Sequence, residues 1–121
     1  MAHTVAWFMV LLGLGHVAYG ARKYAAPLRA AWGDGYIGQF AASEERRTAF
    51  WFMIFGPLVA LAGHAALHAA ATGDLALLRI VGSYLLLTGM LGAAAFPKSP
   101  FWAALPAGPL LIAVGCGWLP L

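Results

Sequence analysis

Four stretches of this chain, residues 1–21, 48–73, 80–97 and 99–121, contain no Asp, Glu, Lys or Arg. Each is close to the ~20 apolar residues that a helix needs to cross a hydrocarbon core of about 30 Å. Backbone amides placed in lipid must bond within their own segment, and a strand would need an alternation that these runs lack. The runs therefore read as helices, about 4–21, 48–70, 76–96 and 101–118. The fold class is all-α: a four-transmembrane-helix bundle forming a single membrane domain over 1–121. Composition agrees, with 63% hydrophobic and 9% charged residues against about 45–50% apolar and about 25% charged in soluble domains. The first run also has a small-residue VAYGA end like a signal-peptide cleavage site, but the basic segment that normally opens a signal is missing.

Charge sets an expected orientation. Arg22, Lys23, Arg29, Arg46 and Arg47 lie in the first connection and Lys98 in the third, whereas Arg79 alone lies on the opposite side. Basic residues favour the cytoplasmic face, so both termini are expected to be periplasmic or extracellular. The net charge of +3 then points to membrane lipids as a partner and not to nucleic acid. The first connection is itself apolar. Tyr24, Leu28, Trp32, Tyr36, Ile37 and Phe40 suggest a short interfacial segment at about 24–42, broken at Gly33-Asp34-Gly35. Ser43 can cap the second helix, with Glu44 and Glu45 favourable in its first turn.

Small residues mark the faces that pack: Gly13, His16 and Gly20 on the first helix, Gly56, Ala60 and His64 on the second, Gly82 and Gly89 on the third. Pro57, and the pair Pro106 and Pro109, are expected to bend the second and fourth helices. Pro57 also deprives the carbonyl of Met53 of its usual donor. Cys116 stands alone, so no disulfide forms within the chain.

An ionisable side chain within a span is costly and normally faces the protein interior with a partner. His16 is that residue here. Tyr19, Glu44, Glu45, Arg46 and the carbonyl of Met53 are its candidate partners. It reads either as a hydrogen-bonded structural group or as a general acid or base in an apolar pocket. Haem ligation by His16 is a third reading. His64 and His68 are four residues apart and could share a divalent metal or haem, but Ala-Ala-Leu stands where HExxH would carry its glutamate, so an interfacial pair is the alternative. In EERR (44–47) one arginine must face differently from the other, and the site role is assigned to Arg47.

GH at 15–16, RRTAFWFMIFGPLVALAGH at 46–64 and SPFWAALPAGPLLI at 99–112 together resemble an uncharacterised bacterial family of small four-span membrane proteins. The resemblance covers nearly the whole chain. It implies a bacterial inner-membrane location and makes His16, Arg47, Phe50, Trp51, Gly56, Pro57, Gly63 and His64 motif positions, with no role attached to any.

Three functions compete. In the first, the helices enclose a hydrophobic small molecule or lipid. His16, Glu44 and Arg47 would move protons in an isomerisation or cyclisation, and Tyr19, Tyr36, Trp51, Phe55 and Pro57 would line the ligand. No nucleotide loop, nucleophile motif or strong metal motif supports more elaborate chemistry, and no cofactor is expected. In the second, the chain is a structural or accessory subunit that packs against its own copies or a partner membrane protein. The third, a small transporter, is disfavoured because Asp34, Glu44, Glu45 and Asp74 all lie in connections or at helix ends.

Overall fold

In a computed structural model that describes residues 1–121, every charge-free run is largely helical and the chain forms five α-helices and no strand. They are α1 (Ala2–Lys23), α2 (Ala25–Gly33), α3 (Glu44–Thr72), α4 (Leu75–Ala95) and α5 (Ala104–Gly115), with 3₁₀ turns at Gln39–Ala41 and Pro100–Ala103. Three helices, α1, α3 and α4, are long and apolar enough to cross a membrane, with 22, 29 and 21 residues. The expected fourth span differs. Regular α-helix covers only the 12 residues of α5, about 18 Å at ~1.5 Å per residue. Its approach is a 3₁₀ turn with Pro100 at its start, and its end is set by Gly117, which takes the left-handed φ of 74° that glycine adopts without penalty. There Trp118 N–H donates back to the carbonyl of Ala113 at 2.9 Å.

The other boundaries follow from capping. α3 opens at Glu44, ahead of its charge-free run, because Ser43 Oγ accepts from Arg46 N–H at 3.2 Å and its carbonyl accepts from Arg47 N–H. It runs through Pro57 to Thr72. Gly73, at φ 71°, then reverses the chain, with Asp74 N–H donating to the carbonyl of Ala69. Asp74 next caps α4, its Oδ1 accepting from Leu77 N–H at 2.9 Å. Between α1 and α3, α2 ends at Gly33 and a turn leads to the 3₁₀ segment, within the stretch expected to lie at the interface.

Packing divides the chain into two compact units. One, Val10–Leu61, is built on the antiparallel contact of α1 with α3. A Cβ at Gly13 would lie 2.6 Å from the carbonyl oxygen of Gly56 and the amide of Ala60, and one at Gly20 would lie 2.7 Å from Met53 Sδ and the Phe52 ring. These distances are far below van der Waals contact; at Gly13 the neighbours are backbone, so only glycine admits the observed spacing, and at Gly20 a side chain would displace Met53 and Phe52. The other unit combines Met1–Met9 with Ala62–Leu121. Here α4 and α5 pack through glycines seven residues apart on each helix: Gly82 meets Gly108, Gly89 meets Ala104 and Leu105, and Gly115 meets Leu75 and Arg79. Leu78, Leu111 and Val114 are fully buried in this unit. Arg79, the lone basic residue of the outer side in the sequence reading, donates from Nη1 to the carbonyl of Gly115 at 2.6 Å and so satisfies an orphan acceptor at the α5 C-terminus.

Gly82→Val puts a side chain where a Cβ would already stand 2.7 Å from the Gly108 carbonyl. It should destabilise the α4–α5 pair by about 1–3 kcal/mol. Gly15→Ala, at a position with nothing within 4 Å, should be neutral or stabilising by ~0.5–1 kcal/mol. Reversible unfolding in detergent, followed by circular dichroism, distinguishes the two variants.

Candidate functional site

Three residues of α1 at i, i+3 and i+7, His16, Tyr19 and Lys23, form one stripe of that helix, and all three meet the Phe52 ring of α3. Gly20 makes this arrangement possible: lacking a side chain, it leaves the space that Phe52 fills. The His16 ring stacks on Phe52 at 4.0 Å between centroids and 14° between planes, and lies 5.7 Å from Phe55. Tyr24, just beyond α1, brings its ring within 5.1 Å of Phe52. Lys23 Nζ then sits 5.7, 5.4 and 5.9 Å from the ring centroids of Tyr19, Tyr24 and Phe52, within cation–π range of all three.

His16 makes its hydrogen bond to the main chain. Nε2 lies 3.0 Å from the carbonyl oxygen of Phe52. A carbonyl only accepts, so Nε2 carries the proton and Nδ1 holds the lone pair of the neutral ring. The partner is one residue from Met53, whose carbonyl loses its usual i+4 donor to Pro57. Helix register explains the difference. Gly13 opposes Gly56 and Ala60, so His16, one turn further along α1, faces Phe52, one turn back along α3. Neither Glu44 nor Glu45 pairs with the imidazole.

Glu44 and Arg47 pair with each other in a close ion pair on the exposed first turn of α3, and Arg47 Nη2 also reaches the carbonyl of Ala41 at 3.4 Å. Arg46 is the arginine turned inward, its side chain 17% exposed against 48% for Arg47. Arg46 Nη2 donates to Asp34 Oδ2 at 2.7 Å, and Nη1 to the carbonyl and Oε1 of Gln39 at 3.4 and 3.5 Å. One guanidinium thus ties the end of α2 and the 3₁₀ turn to the start of α3.

A row of rings runs through the same segment: Trp32, Tyr36, Phe40, Phe50 and Trp51, with successive centroids 5.2–5.7 Å apart. Tyr36 adopts a φ of 65°, the one non-glycine residue in the left-handed region, at a cost of about 1–2 kcal/mol. Its N–H donates to the carbonyl of Ala31 at 2.8 Å, and edge-on contacts with Trp32 and Phe40 hold the ring. Trp51 is 64% exposed, and Pro57 is exposed within α3.

The structure therefore brings Phe55 to His16 and Tyr19 to the Phe52 ring on which His16 stacks, pairs Glu44 with Arg47, and sets Tyr36 and Trp51 in one row of rings, all in the same unit. His64 and His68 belong to the other unit, are exposed on α3, and no third His, Cys, Asp or Glu completes a metal-binding group with them. That unit also carries an apolar groove of about 250 Å³ between Val5 and Phe8 of α1 and Ala103, Pro106 and Leu110, with no ionisable group in its lining. Lys23 and Tyr24 enter the sequence reading only through charge and the interfacial segment, and Phe52 has no part in it as a site residue. A signal for Lys23 exists, since His16, Tyr19 and Lys23 share a helical face. Phe52 becomes the central ring only through the register of α1 on α3.

Breaking the Arg46 tie with Asp34→Asn should raise amide hydrogen exchange over residues 34–43 by about two- to fivefold, the ~0.5–1 kcal/mol of a partly exposed ion pair. Glu44→Gln, at the exposed pair, should leave the same amides unchanged.

No curated protein and no solved structure matches the chain. Residues 1–116 match DUF6463, a family of unknown function, and the chain belongs to that family.

Proposed function

We propose that this is a small integral membrane protein of the bacterial inner membrane, with periplasmic termini, that binds a hydrophobic small molecule or lipid at the His16 cluster. The observation that carries the reading is one ionisable ring, half-buried among aromatics, in a helix long and apolar enough to cross a membrane. Isolated polar groups in such helices mark binding or proton-transfer sites by default. The tautomer favours chemistry at Nδ1: Nε2–H is held by the Phe52 carbonyl, and the other nitrogen is free to take a proton from a ligand or return one. This suits an isomerisation or cyclisation that needs only proton movement. Glu44 and Arg47 neutralise each other, so acid–base work falls to His16. In this reading Pro100–Gly115 provides the fourth, shorter crossing of a four-helix bundle.

The accessory-subunit reading draws on the glycine stripes. Gly13, Gly20, Gly82 and Gly89 are each occupied by contacts inside their own unit, which weakens that argument for an external partner.

Native mass spectrometry of the protein released from nanodiscs tests the proposal. A bound species of defined mass is expected with the wild-type chain. In His16→Ala its occupancy should fall about tenfold, the ~1.4 kcal/mol scale of one hydrogen bond, with helicity retained. His68→Ala should leave the occupancy unchanged. A chain free of any ligand and present only as an oligomer would favour the accessory-subunit reading instead.

A further inference from the structure

The charges of the His16 unit narrow the ligand class. Arg46 is neutralised by Asp34 and Arg47 by Glu44. Arg22, Lys23 and Arg29 have no carboxylate partner, although they stand close together in sequence, at the last turn of α1 and on α2. The α1 dipole presents only about half a negative charge at its C-terminus, against the two full cations of Arg22 and Lys23. Cation–π contact holds the Lys23 ammonium in place over Tyr19, Tyr24 and Phe52 without cancelling its charge. Lys23 is exposed, and so is Tyr19, at 58%. Phe52, the third ring under Lys23, is the ring on which His16 stacks.

We infer that Lys23, flanked by Arg22 and Arg29, binds the phosphate of an anionic phospholipid whose acyl portion lies along the Tyr19–Phe52–His16 rings. The inference rests on the ligand-site reading above and gives that site its ligand class. An exposed ammonium fixed over rings, with two further cations within six residues of it in sequence and an apolar aromatic surface leading away, matches a molecule with an anionic head and a hydrocarbon tail. The Val10–Leu61 unit holds five basic residues against Asp34, Glu44 and the unpaired, exposed Glu45, a net charge of +2. A zwitterionic head would bring its own cation to that excess, and a neutral ligand would leave it uncompensated.

The test uses the full chain in nanodiscs of phosphatidylcholine and phosphatidylglycerol with identical acyl chains. The ratio of the two lipids retained on the protein is read by native mass spectrometry. The wild-type chain should retain phosphatidylglycerol about fivefold above its share of the bilayer, the selectivity of roughly one basic side chain at a membrane surface. Lys23→Gln should bring that enrichment close to one, Lys23→Arg should keep it, and Lys98→Gln, an exposed cation outside the cluster, should leave it unchanged. Equal losses in Lys23→Gln and Lys98→Gln would reduce the effect to overall charge and overturn the inference. Displacement of the retained lipid by millimolar inorganic phosphate would overturn it in favour of a soluble anion. A bound species that depends on His16 but shows no headgroup preference would overturn this inference alone. Headgroup selectivity lost in Lys23→Gln, with no species dependent on His16, would uphold the phospholipid site and refute the His16 ligand reading.

Discussion

Close approach of helix backbones through glycine is the contact on which the rest of the structure depends. For helices as long and apolar as α1, α3 and α4, a crossing of lipid would leave apolar side chains nothing to gain by leaving their surroundings for one another, and association would rest on close packing and a few polar bonds. Gly13 and Gly56 bring α1 against α3, and Gly82 and Gly108 bring α4 against α5. Each contact also sets register. Gly13 opposite Gly56 and Ala60 places His16 opposite Phe52, and Gly20 opens the space that the Phe52 ring occupies. The candidate site is thus a by-product of helix packing, with no loop needed to assemble it.

The polar groups follow the same economy. The Val10–Leu61 unit holds one imidazole bonded to a carbonyl, one inward arginine with a carboxylate and a glutamine, and an exposed ion pair. No buried polar side-chain atom lacks a partner. A buried unpaired group would cost about 1–3 kcal/mol, and the chain avoids that by spending its few polar residues where a carbonyl or carboxylate is in reach. Arg79 does the same at the end of α5. The groups of this unit left without an ion-pair partner, Arg22, Lys23, Arg29 and Glu45, are all exposed, where a lone charge costs little.

The strained backbone of Tyr36 belongs to a different kind of element. The segment from α2 to α3 has no apolar helix face on the scale of α1 or α4, and it is held by Arg46, by the Ala31 carbonyl and by a row of edge-on rings. Aromatic side chains with exposed Trp32 and Ile37, at 75% and 89%, suit a segment at the boundary of lipid and water, where rings sit well and the backbone can still find donors and acceptors.

Periodicity and charge alone carry the all-helical class, three of the four expected long apolar helices and the break at Gly33-Asp34-Gly35, because each depends on local chemistry: a charge-free run or a glycine pair. The glycine faces of α1 and α4 were also legible, since a stripe is a property of one helix. Tertiary structure decided the partners. Phe52 in place of Met53, Arg46 and not Arg47 turned inward, and Lys23 drawn over three rings all depend on the register of one helix against another. Register is a long-range contact that no single segment encodes. The length of the last helix lay between the two: its prolines and Gly117 were visible in the sequence, but a charge-free run shows how far apolar character extends, and only backbone capping shows where the helix stops.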